Sequence, residues 1–548
     1  MYSLVGNDVF TDVEMFMCYD SKKSDNVINV FTNTLFTNSS KDVVRKWLTY
    51  PKYKISDLNE FQNTIKQLEC SYEDHEIELN KLKIEIRRAE KYKDFFLNPP
   101  QKEIVSIFDF VYFKLPILVY LRFNKIGKLL TLNNLYSVVL SPIVSIMSPL
   151  LYVMIPYFIL VFKLKIKIPI YMFLKVVYKS VVSFPVKTRT FIFTKLVSTI
   201  ISLALYVHGV QTSISIAKNS HNVCNHLIKN INGLYLYISN CVKVCTLCKR
   251  SSELPESLKR FLEIGSHTNL LNKGNKLAWY DSFSIHDIQR FSNRMDTLFA
   301  GLSVVQVKKE RNMCYTTFLD QSGTILEIKE GTHMLIPNGV RNDIHLTNSG
   351  CMITGPNAAG KSTFLKSILL NILLSQSLGL CCATMCNMTP FYFINSQINI
   401  PDTKGVESLF EAEMHRCKYN LDVIKELPED RKSVVVMDEL FNSTNVIEGI
   451  SGAYAILSKL ATFQNTMTLL TTHFPYLTKL KTFSRFKFDA TILREKNTNG
   501  DNEVKDIHYN YKIQPGVSKQ YIALDILKNK FDTDIIEIAQ QIKKKLLV

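Results

Sequence analysis

The stretch Gly355-Pro-Asn-Ala-Ala-Gly-Lys-Ser-Thr363 follows the apolar Cys351-Met-Ile-Thr354 and leads into Phe364-Leu-Lys-Ser-Ile-Leu-Leu370. A glycine loop between a buried strand and a helix is the context in which such a pattern binds phosphate. Glycine lets backbone N–H groups turn toward phosphate oxygens, and the following helix adds the positive end of its dipole. The candidate phosphate contacts are Gly355, Pro356, Asn357, Ala358, Ala359, Gly360, Lys361, Ser362 and Thr363. Lys361 is placed to neutralise the β- and γ-phosphates, and Ser362 to ligand Mg²⁺.

Val434-Val-Val-Met-Asp-Glu439 reads as a buried strand ending in two carboxylates. Adjacent strand residues point to opposite sides, so Asp438 is expected to hold the Mg²⁺ shell. Glu439 is then expected to act as general base on a water attacking the γ-phosphate in line. Leu469-Leu-Thr-Thr-His473 is a third apolar strand ending in a polar residue, with His473 as a candidate γ-phosphate sensor.

The elements that position these groups are α/β from about Ser349 onward, with short strands at Tyr315 to Leu319 and Ile325 to Ile328 before them. The rest is helical. Val27 to Leu97 reads as two or three soluble helices, with Val43, Val44, Trp47 and Leu48 on one face and the last helix long and highly charged. His221 to Val307 returns to that character, with Phe291, Met295, Leu298 and Leu302 as one stripe, and Ile522 to Leu547 is a helical tail.

Between these soluble parts the chain changes character. Leu129 to Phe162 is 34 residues without a charged side chain, and Leu196 to Ala217 is a second uncharged run of 22, broken only by His208. Each exceeds the roughly 20 residues that cross a bilayer. From Glu103 to Ala217 twelve Lys/Arg face two acids, so this stretch carries most of the chain's net charge of +17. Lys163, Lys165, Lys167, Lys175, Lys179, Lys187, Arg189 and Lys195 lie between the two runs, where a simple hairpin with cytosolic ends would place them outside. Pro142, Pro149 and Pro156 permit a broken path, and Phe108 to Leu121 or Ile168 to Val186 could add spans. With 548 residues, 46% hydrophobic and 21% charged, the chain is not a disordered or collagen-like protein. Its length suggests about three or four folding units.

The N-terminus has neither a basic nor an apolar signal region, so free thiols in a reducing compartment are expected. Cys241, Cys245 and Cys248, with His221, Cys224 and His226 upstream, could bind zinc. The same i, i+4, i+7 spacing makes a buried helical stripe, and that reading is preferred.

With the motifs in hand, the chain resembles the MutS mismatch-repair ATPase family. GPNAAGKST resembles that family's P-loop, Ser408-Leu-Phe-Glu-Ala-Glu-Met414 its S-x-F-x-x-E-M segment, and Thr472-His473-Phe474 its T-H-[YF]. Arg341-Asn-Asp-Ile-His-Leu346 and Tyr511-Lys-Ile-Gln-Pro-Gly516 are similar to strands on either side of the ATPase core. Arg45-Lys-Trp-Leu-Thr-Tyr-Pro51 and Asn59-Glu-Phe-Gln62 are similar to the start of its helical core.

The resemblance implies a multidomain α and α/β fold: a helical core and lever with a hydrophobic insert, then a P-loop, ABC-class α/β ATPase domain and C-terminal helices. The expected division is 1–24 N-terminal segment, 25–103 first half of the lever, 104–218 insert, 219–314 second half, 315–510 ATPase domain and 511–548 dimerisation segment. It implies ATP and Mg²⁺ as cofactors, a homo- or heterodimer through the ATPase domains, Ser408 reaching nucleotide on the opposite subunit, and DNA as partner. Phe441 and Asn442 stand where the family has Gly-Arg, and Asn445-Val446 where it has Ser-Thr. A core-like pattern starting by about Asp25 leaves no room for mismatch-reading domains, and Phe261-Leu-Glu263 matches their wedge only by coincidence. The family's DNA clamp would occupy the place of the lysine-flanked hydrophobic stretch.

Two functions compete: a dimeric ATPase acting on DNA in repair or recombination, and a membrane-anchored ATPase that remodels or tethers without reading mismatches. An ABC transporter is disfavoured, since no LSGGQ-type signature precedes Val434 and the insert is short for a transport path. The sequence reading is a membrane-associated MutS-like ATPase anchored through 104–218, with its ATPase domain on the reducing, cytoplasmic-type side.

Overall fold

The structure, a computed structural model, describes residues 2–18, 26–98, 111–113, 115–182, 189–250, 254–264, 270–336, 338–398, 409–496, 502–520 and 533–546. These form two compact units, one of residues 1–77 and 296–548, the other of residues 78–295. The chain leaves the first within the helix Ile55–Leu97, which is kinked at His75, and returns within the helix Ile285–Glu310.

Among the described residues the first unit holds twelve strands: β1 Leu4–Val5, β2 Cys314–Phe318, β3 Ile325–Gly331, β4 Asn342–Thr347, β5 Gly350–Thr354, β6 Leu380–Cys381, β7 Met385–Met388, β8 Phe393–Gln397, β9 Ser433–Asp438, β10 Thr466–Thr471, β11 Ser484–Lys496 and β12 Asn502–Pro515. One sheet has the order β1-β8-β9-β10-β5-β11-β12, the other β4-β3-β7-β2-β6. The sheet containing β5 is parallel from β1 to β11, and only the β11–β12 pair is antiparallel. Its central strands β5, β9 and β10 are almost wholly buried, as expected of parallel strands covered on both faces.

The helix Lys361–Leu378 explains how a polar-containing segment can lie inside. Its apolar residues Leu365, Ile368, Leu369, Ile372 and Leu373 are buried together with Asn371 and Gln376. Gln376 donates through Nε2 to the carbonyls of Lys52 and Phe391 at 2.9 Å, and accepts the Phe391 N–H at 2.8 Å. Buried amides are tolerated when their hydrogen bonds are made. The N-terminal segment belongs to the same framework. Buried Asp12 accepts the Ser396 hydroxyl at 2.7 Å and the Ile398 N–H at 3.2 Å.

Motifs outside the loop are tied into the same framework. Gln62 Nε2 donates to Thr316 O at 2.7 Å and Gly379 O at 2.8 Å. Asn342 donates to Tyr511 O at 3.0 Å and accepts from the Ile513 N–H at 2.9 Å.

The second unit is helical. The helices Pro116–Tyr120, Gly127–Leu135, Ser141–Phe158, Ile170–Val182, Arg189–Leu247, Glu256–Ile264 and Leu270–Ser282 lie within it. Val111, Leu130, Cys224, Leu227, Ile228, Leu277 and Ala278 form one core cluster.

The prolines do not break the first apolar run. Gly127 to Lys163 is one continuous helical path, with π-turns at Tyr136–Leu140 and Ile159–Lys163. Proline lacks an N–H and clashes with the carbonyl four residues back, and a widened turn is one way a helix absorbs such a defect. Ile170–Val182 is 13 residues, about 20 Å at helical rise. It is short of the roughly 30 Å hydrocarbon core, so the described part of Ile168 to Val186 does not provide an extra span.

Candidate functional site

Parallel pairing brings three strand ends to one edge. Thr471 is registered opposite Ile353 on one side and Asp438 on the other. The glycine loop, both carboxylates and His473 therefore emerge together at the carboxyl ends of β5, β9 and β10, the edge where open α/β sheets bind ligands.

Gly355 has φ +156, and a Cβ there would sit 2.5 Å from the Phe488 carbonyl oxygen. Gly360 has φ +94 and caps the helix, facing the Tyr511 ring. Glycine tolerates both conformations without steric cost. Ala358 also lies in the left-handed region at φ +64. Pro356 and Ala359 are buried under the loop, while Asn357, Ala358 and Thr363 are exposed and Gly355, Gly360 and Ser362 half-buried.

Lys361 is only 5% exposed. Its Nζ donates to the Gly355 and Pro356 carbonyls at 3.0 and 3.1 Å and lies 3.6 Å from Glu439 Oε1. A buried ammonium must be paired, and here loop carbonyls and one carboxylate do so.

The separation of Asp438 from Glu439 has a different origin from strand alternation. Strand β9 ends at Asp438, and Glu439 adopts a left-handed φ of +50. Its N–H donates to the Thr471 carbonyl and hydroxyl oxygens, both at 3.1 Å. The Thr471 hydroxyl in turn donates to Asp438 Oδ1. A turn held by one threonine thus directs Asp438 toward β10 and Glu439 toward Lys361.

Glu439 Oε2 accepts from Asn442 Nδ2 at 3.1 Å and lies 3.6 Å from His473 Nδ1. The imidazole beside it and the Lys361 charge hold the Glu439 carboxyl below its ordinary value of 4.5, against partial burial. Its ionised form is therefore present above about pH 4.5 and is lost as pH falls through the depressed value. If Glu439 is the base, replacing His473 with alanine moves the acid limb of the turnover profile upward in pH. Turnover itself falls by roughly tenfold or more. An unchanged acid limb would show that His473 does not act through Glu439.

Sequence reasoning gave no role to two supports. Thr471 is one; its position opposite Asp438 in the parallel register is the signal. Glu413 is the other. It is 6% exposed, accepts from the Ser443 hydroxyl at 3.4 Å and from the Phe441 N–H, and burial pushes its carboxyl up. It fixes the loop after Glu439, where Phe441 keeps a left-handed φ of +58 although it stands in place of a glycine.

Ser408 lies outside the described residues. Cys224, Cys241, Cys245 and Cys248 are buried, and burial pushes the Cys245 thiol up to about 11 and the Cys248 thiol up to about 12. No group of three or more His, Cys, Asp or Glu side chains that could hold a metal ion occurs among the described residues. Phe261 is buried against Trp279, ring centroids 4.0 Å apart, so it is a core residue.

Residues 351–547 match the family profile described as MutS domain V. This match, with the relatives that follow, supports a member of the MutS family. It is 27% identical to the DNA mismatch repair protein MutS of Pelotomaculum thermopropionicum over 257 residues, 45% of this chain and 28% of that protein. It is 29% identical to the DNA mismatch repair protein MSH3 of Candida albicans over 266 residues, 45% of this chain and 24% of that protein. The MutS of Protochlamydia amoebophila is 31% identical over 244 residues, 42% of this chain and 25% of that protein. The chain thus spans about a quarter of the length of these curated relatives. The matched domain contains the whole described strand-end cluster, from the glycine loop through Asp438 and Glu439 to His473.

Proposed function

We propose that the chain is a Mg²⁺-dependent ATPase of the MutS type, with its P-loop domain in an ABC-class arrangement. The observation that carries this is the convergence of Lys361, Asp438, Glu439 and His473 at one edge of a parallel sheet. The donor set fits nucleotide and metal: a buried ammonium, a loop of permissive backbone and two carboxylates held apart. Residues Gly355 to Thr363 would bind the phosphates, with Lys361 neutralising their charge. Ser362 and Asp438 would hold Mg²⁺, which when bound supplies positive charge to the phosphate oxygens. Glu439 takes the proton of the attacking water, and His473 orients Glu439 and senses the γ-phosphate.

The reading extends to assembly. Two P-loop domains of a homo- or heterodimer would enclose the nucleotide, with Ser408 reaching it in trans. Residues 25–103 and 219–314 would form the lever, 104–218 an insert, 315–510 the ATPase domain and 511–548 a dimerisation segment, with 1–24 preceding them. DNA is the proposed substrate surface, in a process related to mismatch repair or recombination. Its test is DNA-stimulated phosphate release that weakens steeply with salt; hydrolysis indifferent to any DNA would remove DNA from the proposal.

A second reading, membrane anchoring, is favoured by the helical paths Gly127–Lys163 and Leu196–Leu247. They are long and apolar enough to cross a bilayer, and 0% and 6% of their most apolar windows are buried. It places the ATPase domain on the cytoplasmic-type side. Retention of the full chain in membranes after an alkaline carbonate wash, and release of a chain lacking 129–217, is the expected outcome; release of the full chain contradicts it.

A further inference from the structure

The two apolar helical paths lie side by side and antiparallel. Ser141 Oγ is 3.2 Å from Ser213 Oγ, and the Tyr206 hydroxyl donates to the Ile146 carbonyl at 2.8 Å. Near the end of the first path, the Tyr157 hydroxyl donates to the Ile168 carbonyl at 3.2 Å, and its ring lies 5.2 Å from that of Phe173. The connecting segment is thereby tied to the end of the hairpin.

The register sets the two uncharged runs against each other. Leu196–Ala217 faces the part of the first path around Tyr136 to Phe158, and neither carries a charged side chain. The shared uncharged zone of 22 residues is about 33 Å long at helical rise, close to the roughly 30 Å hydrocarbon core. Its apolar side chains are exposed, Leu150, Tyr152, Ile155, Leu203 and Leu205 among them. At the tip, Lys163, Lys165, Lys167, Lys175 and Lys179 are exposed alongside Tyr171 and Tyr178. No Asp or Glu occurs between Asp109 and Glu253.

We propose that this hairpin inserts into a bilayer as one unit and that its basic tip binds the anionic headgroups of lipids. The inference rests on the membrane reading above and deepens it by naming the lipid chemistry. Amphipathic lysine and tyrosine side chains next to an apolar slab suit an interface, where the stem is buried and the polar end stays wet. A duplex backbone would pair with the lysines and leave the apolar shaft in water.

The test is flotation of the full chain with phosphatidylcholine vesicles, with and without phosphatidylserine, compared with the chain carrying K163Q, K165Q and K167Q together. These side chains are exposed, so the fold is preserved; an unchanged circular dichroism spectrum verifies it. The expected result is flotation on both vesicles and tighter binding to the anionic ones, by roughly fivefold per lysine before screening. The triple variant keeps flotation and loses most of that preference. Equal binding of wild type and variant to both vesicles overturns the tip inference while anchoring stands. No flotation of the wild type overturns both. Loss of duplex-DNA binding in the triple variant, with lipid preference unaltered, assigns the tip to nucleic acid and overturns the inference.

Discussion

Replacing Lys361 with alanine abolishes measurable nucleotide binding. The ammonium is the buried cation of the loop, and its present partners are the Gly355 and Pro356 carbonyls and the Glu439 carboxylate. Charge-assisted hydrogen bonds to phosphate contribute about 1.5 to 3 kcal/mol each. Losing two of them weakens binding by a factor on the order of 10² or more. Alanine also leaves Glu439 without a facing cation, so the carboxylate repels the incoming phosphates. Titration with a fluorescent ATP analogue measures the change, with a thermal melt to show that the variant is folded. A folded Lys361→Ala chain that binds within a few-fold of wild type would place the phosphates elsewhere.

Glu439→Gln has the opposite signature. Glutamine keeps the size of the side chain and can still accept from Asn442, but it cannot take a proton from water. Turnover should fall by about 10² to 10⁴. Binding should be unchanged or tighter, because Lys361 no longer has a carboxylate 3.6 Å away competing for its charge. Rapid-quench measurement of phosphate release beside equilibrium nucleotide binding separates the two effects. Robust turnover would remove Glu439 as the base. Asp438→Asn should differ by raising the Mg²⁺ concentration that turnover requires, since Asp438 is the proposed carboxylate of the metal shell and accepts from the Thr471 hydroxyl.

Much of this site was legible because its signals are local. A glycine loop between an apolar strand and an apolar helix needs only consecutive residues to be recognised, and the structure places Gly355 and Gly360 at the positive φ values that require them. The two carboxylates after a valine run were equally visible. The reason they separate was not, because alternation governs residues inside a strand and Glu439 lies one residue beyond it. Thr471 reaches the site through strand pairing with Asp438, and Glu413 through hydrogen bonds to the loop after Glu439, which no single-sequence period reports.

The helical half shows the same division. The cysteine stripe and the continuous apolar runs follow from helical spacing, and both appear as read. The prolines misled, since Pro149 and Pro156 lie inside one α-helix that continues past them. Nor could composition show that the two runs align antiparallel through Ser141, Ser213 and Tyr206. The place of Leu4–Val5 at the edge of the sheet was invisible for a similar reason: a two-residue strand has no measurable period.

The most direct measurement is phosphate release from ATP by the purified full chain, with Mg²⁺ and with excess chelator. Hydrolysis with Mg²⁺ that disappears with chelator and in Glu439→Gln is expected from a buried Lys361 facing Glu439 at the sheet edge, with Asp438 held apart from it. No hydrolysis with Mg²⁺, by a chain that is folded and binds ATP, would contradict it and leave the strand ends as a nucleotide-binding site without catalysis.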